Sequence, residues 1–136
     1  MKANKIVVIA VLVVVVCSLA IVLVSCSHDD DNIVNKVVTD KWEYNDFTAI
    51  VPEPRVGKID YVKHFKSGRQ YGVHITDVTI DEALTYVEAL KCMGYRVTEG
   101  DIATQETGMI MMRDGRAISL DYEDNSLAIM IAILSK

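Results

Sequence analysis

The sequence predicts an α+β domain of order β-β-α-β-β-β, with a single helix packed on a mostly antiparallel sheet. Three observations carry that prediction. One amphipathic segment opens with a capping box, two strand-like runs joined by Lys66-Ser67-Gly68 precede it, and three alternating runs joined by Asp114-Gly115 and Asp124-Asn125 follow it. The domain is expected over residues 41–136, after a signal segment at 1–25 and a polar tether at 26–40.

Twenty-one of the first 26 residues are hydrophobic. Lys2 and Lys5 precede an uncharged run from Ile6 to Val24, long enough as a helix to approach the thickness of a bilayer core. A positive start, an apolar middle and a small residue before a cut also describe an export signal. Leu23-Val24-Ser25-Cys26 followed by Ser27-His28-Asp29-Asp30-Asp31-Asn32 is the deciding feature. It resembles the lipobox of bacterial lipoproteins, and that resemblance implies cleavage before Cys26 and acylation of its thiol. Cys17 lacks a preceding small residue and reads as an incidental apolar residue of the signal. The alternative for the segment is an uncut single-span anchor; both readings place the domain outside the cytoplasm, held at the cell membrane.

Loss of the signal would remove two lysines and leave 12 basic against 19 acidic residues, a net charge of −7 that disfavours nucleic acid as a partner. Besides Cys26 only Cys92 remains, so no disulfide framework exists within the domain and a packed core must stabilise it. Cys92 is expected at a buried or boundary position. The tether holds His28 beside three aspartates, but ligands on a floppy tail lack the fixed geometry a metal site needs.

Taken in order, Trp42, Tyr44, Phe47, Ile50 and Val51 form an aromatic patch, Asn45 or Asp46 is placed to cap one helical turn, and Val51-Pro52-Glu53-Pro54 enforces extended chain. This segment reads as a lid that packs Trp42 and Phe47 against the domain. Val56 to Phe65 and Arg69 to Val78 read as a hairpin with odd-numbered apolar sets, Ile59, Tyr61 and Phe65 against Tyr71, Val73 and Ile75. A three-residue loop with left-handed Gly68 would pair Phe65 with Arg69, Tyr61 with Val73 and Ile59 with Ile75.

Thr79 and Glu82 form the capping box and Gly94 the stop of a helix whose inner side carries Ala83, Leu84, Val87 and Leu90, with Met93 a further candidate at its end. Tyr95 to Thr104 alternates only weakly. Met109 to Met112, Ala117 to Tyr122 and Leu127 to Leu134 then make a meander whose two-residue turns oppose Met111 to Ile118, Met109 to Leu120 and Ile118 to Ile131. The other face of that meander carries Ile110, Met112, Ala117, Ser119, Asp121, Ala128, Met130 and Ala132. Its centre is unusually apolar for a surface left to water. The Trp42 segment is expected to cover it, the alternative being contact with a partner or a second copy.

The mature chain is similar to a family of small lipoprotein domains of unknown function from Gram-positive bacteria. The likeness rests on the lipobox, Trp42, Val51-Pro52-Glu53-Pro54 with Gly57-Lys58-Ile59, and Tyr86-Val87-Glu88-Ala89-Leu90 with Gly94-Tyr95. These motifs are turns, caps and core positions, so the resemblance implies a surface lipoprotein and no catalytic residue.

Chemistry is sparse. His64 and His74 are the domain's histidines, and Asp77 has opposite strand parity to His74. No phosphate loop, zinc-ligand cluster or nucleophile elbow appears, and neither cofactor nor metal is expected. Asp121, Glu123 and Asp124 read as a solvated turn. Candidate binding residues are Lys63, His64, Lys66 and Arg69, with Lys58, on the first hairpin, and Ile110, Met112 and Met130 on the second face. The expected function is therefore non-catalytic, an interaction or envelope-associated module that meets an envelope protein or wall polymer while its lipid anchor meets the membrane. A small-ligand carrier or enzyme with a pocket between lid and sheet is the alternative.

Overall fold

The computed structural model describes residues 33–134. The signal segment, Cys17, Cys26 and the His28 to Asp31 run lie outside the described residues, and so does the expected lipidation. Seven strands form one sheet: β1 (Ile33–Val38), β2 (Lys58–Phe65), β3 (Gln70–Thr76), β4 (Arg96–Gly100), β5 (Met109–Arg113), β6 (Arg116–Glu123) and β7 (Ser126–Ile133). Their spatial order is β1-β2-β3-β7-β6-β5-β4, and every pair from β2 through β4 is antiparallel. One 13-residue helix, α1 (Ile80–Cys92), follows β3. The described residues thus form a mostly antiparallel sheet with one short α-helix, which corrects the expected α+β class and its β-β-α-β-β-β order.

The correction has a physical cause. Both unforeseen strands lie at sheet edges, where pairing on one side replaces the burial that would leave an alternating pattern. All five residues of β4 are exposed. In β1, which lies inside the stretch read as tether, Asn35, Lys36 and Val38 are exposed.

The local signals around α1 are realised in full. Thr79 Oγ1 accepts from the Glu82 backbone N–H, and Glu82 Oε2 accepts from that of Thr79. At the other end the Gly94 N–H donates to the Lys91 carbonyl and the Tyr95 N–H to that of Leu90, with Gly94 at φ 92°. That pair of bonds is the Schellman closure, which a left-handed glycine permits. Ala83, Tyr86, Val87 and Leu90 face inward, onto Ile118, Leu120, Leu127, Ile129 and Ile131 in one core. Each such aliphatic side chain contributes roughly 1.5–3 kcal/mol by leaving water.

The meander has the expected register: Met111 opposes Ile118, Met109 opposes Leu120, and Ile118 opposes Ile131. Both its turns have positive φ at both central residues, Asp114 and Gly115 in one, Asp124 and Asn125 in the other, as a two-residue hairpin loop of the I′ type requires.

The first hairpin departs from expectation. Ile59 does oppose Ile75, but the register shifts between Ile59 and Tyr61, after which Tyr61 opposes His74 and Val62 opposes Val73. The extra residue, Asp60, turns the rest of β2 over, so Val62 enters the core while Tyr61 leaves it. Gly68 is left-handed as expected (φ 63°), but Phe65 no longer pairs with Arg69.

The segment from Trp42 to Pro54 forms a strap on the same side of the sheet as α1. Asn45 Oδ1 caps its turn by accepting from the N–H groups of Phe47 and Thr48, while Trp42 and Val51 join the core and Phe47 packs against it. Three tyrosines pin it from beneath. Tyr71 Oη donates to Glu43 Oε2 (2.9 Å), Tyr86 Oη to the Pro52 carbonyl (2.9 Å) and Tyr95 Oη to that of Ile50 (3.2 Å). Burial raises the pKa of all three phenols above 10.0, with the Glu43 carboxylate adding to it at Tyr71.

A group whose folded pKa is raised contributes stability that is complete below its unfolded pKa and is lost as pH rises beyond it. The strap is therefore expected to hold at about pH 8 and to loosen above about pH 10, where unfolded tyrosines ionise. Urea midpoints followed by Trp42 fluorescence across that interval check this. An unchanged midpoint at about pH 11 would show that the three struts carry no linked stability.

Candidate functional site: the outer sheet face

Because strap and helix share one side, the opposite face of the sheet is left bare among the described residues. This corrects the expectation that the Trp42 segment covers it. The strap also fills the interval where a ligand pocket between lid and sheet was considered, with Trp42, Phe47 and Val51 occupying it.

Register builds the outer face in rows across the strands. Ile110, Ser119, Met130, Gly72 and Lys63 form one; Met112, Ala117, Ala132 and Gln70 form the next; Asp121, Ala128, His74 and Tyr61 form the third. Around Met130 the middle is occupied by the small residues Gly72, Ala117, Ser119, Ala128 and Ala132, with taller ones at the flanks, so the surface dips. The resulting trough has a volume of about 250 Å³ and is lined by Tyr61, Lys63, Gly72, His74, Ser119, Asp121, Ala128 and Met130 among others. A second hollow of about 330 Å³ adjoins it through His74, Asp121 and Ala128 and ends at Glu123, Asp124 and Ser126. One end of the depression is thus basic and aromatic, the other acidic, and the floor is apolar.

Tyr61 organises the basic end. Its ring stacks on His74 at 4.7 Å and 8°, and Lys36 from β1 places Nζ 3.8 Å from the ring centroid, with Lys63 Nζ at 5.5 Å. An ammonium over an aromatic face is held by the ring quadrupole. Burial, and secondarily the Asp60 carboxylate, raise the Tyr61 pKa. His74 Nδ1 is buried and lacks a hydrogen-bond partner, although Asp60 Oδ2 lies 3.5 Å away. The two side chains lie side by side at the bulge without a hydrogen bond, since that separation is beyond a good N–H···O bond.

Of the residues singled out from sequence, Ile110, Met112 and Met130 share this face, and Lys63 flanks it. His64 does not join them: it lies on the strap side, edge-on to Tyr71 at 5.2 Å and 3.9 Å from Glu43. Lys66 and Arg69 are exposed in the β2–β3 turn, and Lys58 is at the far end of β2, 3.8 Å from Asp77. The basic cluster read along the chain is therefore dispersed over two faces and both ends of a hairpin. Lys36, Tyr61, His74 and Asp121 were missed as site residues. The available signal was Val62, a β-branched aliphatic residue in the otherwise polar even-numbered set of its strand.

The arrangement offers recognition groups and no assembled nucleophile. Ser119 and His74 stand on strands separated by β7, in different rows. Among the described residues no group of three or more His, Cys, Asp or Glu side chains could hold a metal ion. Cys92 is free and exposed, contrary to its expected buried or boundary position. Among the same residues no helix is long and apolar enough to cross a membrane. Comparison with family models, with curated proteins and with solved structures finds no match for this chain.

Proposed function

We propose that the protein is a lipid-anchored envelope component whose outer sheet face binds a macromolecular partner without catalysing a reaction. The observation that carries this reading is the bare face itself, with Ile110, Met112, Ala117, Ala128, Met130 and Ala132 contiguous across the central strands and no segment of the described chain over them. Met112 and Ala128 are exposed and the other four half-buried, and contiguous apolar surface open to solvent in this way marks interaction sites. Acylation of Cys26, with Ser25 and the apolar run before it, would hold that face outside the cytoplasm next to other envelope components, two or more acyl chains giving a stable anchor. The excess of acidic residues argues against nucleic acid as the partner.

The test has two arms. In the native host, labelled palmitate is expected in the wild-type chain and not in Cys26→Ser, with the wild type in the membrane fraction. A photo-crosslinking residue at position 112 is expected to capture a macromolecule in those membranes, whereas one at position 88, where Glu88 is exposed on α1, captures none. Label-free wild-type protein would overturn the anchor, and equal behaviour of the two positions would overturn the assignment of the face.

A further inference from the structure

We infer that the outer sheet face pairs two copies of this chain face to face about a two-fold axis running along β7. The inference rests on the reading of this face as a binding surface and names its occupant. Strand order supplies the first argument: β7 is the central strand, with three strands on either side. A two-fold axis along it, in the plane between two stacked sheets, lays β3 on β6 of the second copy, β2 on its β5 and β1 on its β4.

In such an isologous contact each residue on the axis meets itself, so a charge there would be repelled by its own image. The outer-face residues of β7 are Ser126, Ala128, Met130 and Ala132, all uncharged. Ionisable groups begin one strand away, where the imidazole of His74, with Asp60 Oδ2 3.5 Å from its Nδ1, stands on one side and the Asp121 carboxylate on the other. Asp121 on β6 and His74 on β3 both pair with Ala128 of β7, so they stand at equal distances on either side of the axis. The two-fold places His74 over Asp121 of the second copy, twice. In the next row Ser119 and Gly72 flank Met130 in the same way, which leaves room for the Met130 side chains. At the margins the Lys36 edge falls over the Glu99 edge of the other copy.

Size is consistent with pairing between anchored molecules. Strands spaced by ~4.8 Å and residues by ~3.3 Å give a face of roughly 30 by 17 Å, about 500 Å² a side. That is near the lower limit for a specific interface. Co-anchoring on one membrane raises the effective concentration of the second copy and offsets the small area.

The experiment uses the full chain in its own membranes, with benzoylphenylalanine at position 130. We expect a covalent homodimer. H74D and D121K, introduced singly, are expected to lower dimer yield at least about tenfold, because H74D sets two carboxylates against each other across the axis and D121K removes the acceptor that His74 faces. Co-expression of H74D and D121K restores heterodimers, since the carboxylate introduced at position 74 of one chain then meets the ammonium introduced at position 121 of the other, while the native pair forms on the second side. Rescue also shows that each variant folds. Dimers without rescue overturn this axis. Capture of a different protein or a wall polymer with no homodimer overturns the inference and leaves the face a binding surface. No adduct from position 130 overturns both.

Discussion

Gly57→Ala is expected to destabilise the domain by roughly 2–5 kcal/mol, whereas Gly68→Ala costs only about 1 kcal/mol, although the two glycines have almost the same backbone conformation. Their φ angles are 57° and 63°, so an L side chain suffers the same left-handed strain at either site. Space separates them. A Cβ on Gly57 would lie 2.2 Å from the Thr76 carbonyl oxygen and 2.6 Å from Val78 Cγ2, while nothing lies within 4 Å of one on Gly68. The crowded oxygen belongs to backbone at the end of β3, just before the helix cap, and cannot swing aside as a flexible side chain would. Urea unfolding of both variants checks the contrast, and equal losses would show that φ alone sets the cost.

Gly57 also marks a limit of legibility. It lies where the strap enters β2, and its need for glycine comes from a strand that follows it in the chain. Features with a local cause were readable in advance: the capping box of α1, the Schellman glycine, the two I′ turns and the register of β5, β6 and β7, where apolar alternation on adjacent strands agrees with turn length. Features caused by distant neighbours were not. The bulge at Asp60 moved Tyr61 onto the outer face and thereby created the stack with His74. No pattern within β2 announces it beyond the aliphatic Val62. The edge strands β1 and β4 bury too little to alternate, and without them the chain reads as a helix on a small sheet.

The candidate site was half legible for a similar reason. Alternation along β5, β6 and β7 assigned Ile110, Met112 and Met130 to one face, because period two fixes which residues share a side. What lies over that face was a different question. The aromatic residues of the strap signal burial but not against which side of the sheet, and the choice is made by three phenol hydroxyls whose acceptors are a glutamate and two backbone carbonyls. Carbonyl acceptors have no signature in sequence, so the covering of the inner face and the baring of the outer one emerge only from the folded chain.

Trp42→Ala is expected to cost about 3–5 kcal/mol, the range for removing a large buried aromatic side chain, against the roughly 5–15 kcal/mol that separates most folded domains from their unfolded states. Trp42 is only 7% exposed and sits where the strap leaves β1. Its loss opens a cavity at one end of a segment whose other contacts are the tyrosine struts and the Phe47–Tyr71 stack at 5.7 Å. Trp42→Phe is the informative companion. The indole Nε1 is buried without a hydrogen-bond partner, an arrangement that costs about 1–3 kcal/mol in desolvation, and phenylalanine removes that donor while keeping most of the apolar volume. We expect Trp42→Phe to lie within about 1 kcal/mol of the wild type, and urea midpoints of the two variants decide it. If Trp42→Phe were as damaging as Trp42→Ala, the N–H would have a partner and the strap would be held partly by that bond. The distinction bears on function, because it tests whether the strap and the outer face are independent parts of the fold. A variant that frees the strap without unfolding the sheet is expected to retain capture from position 112, since the strap contributes no residue to that face.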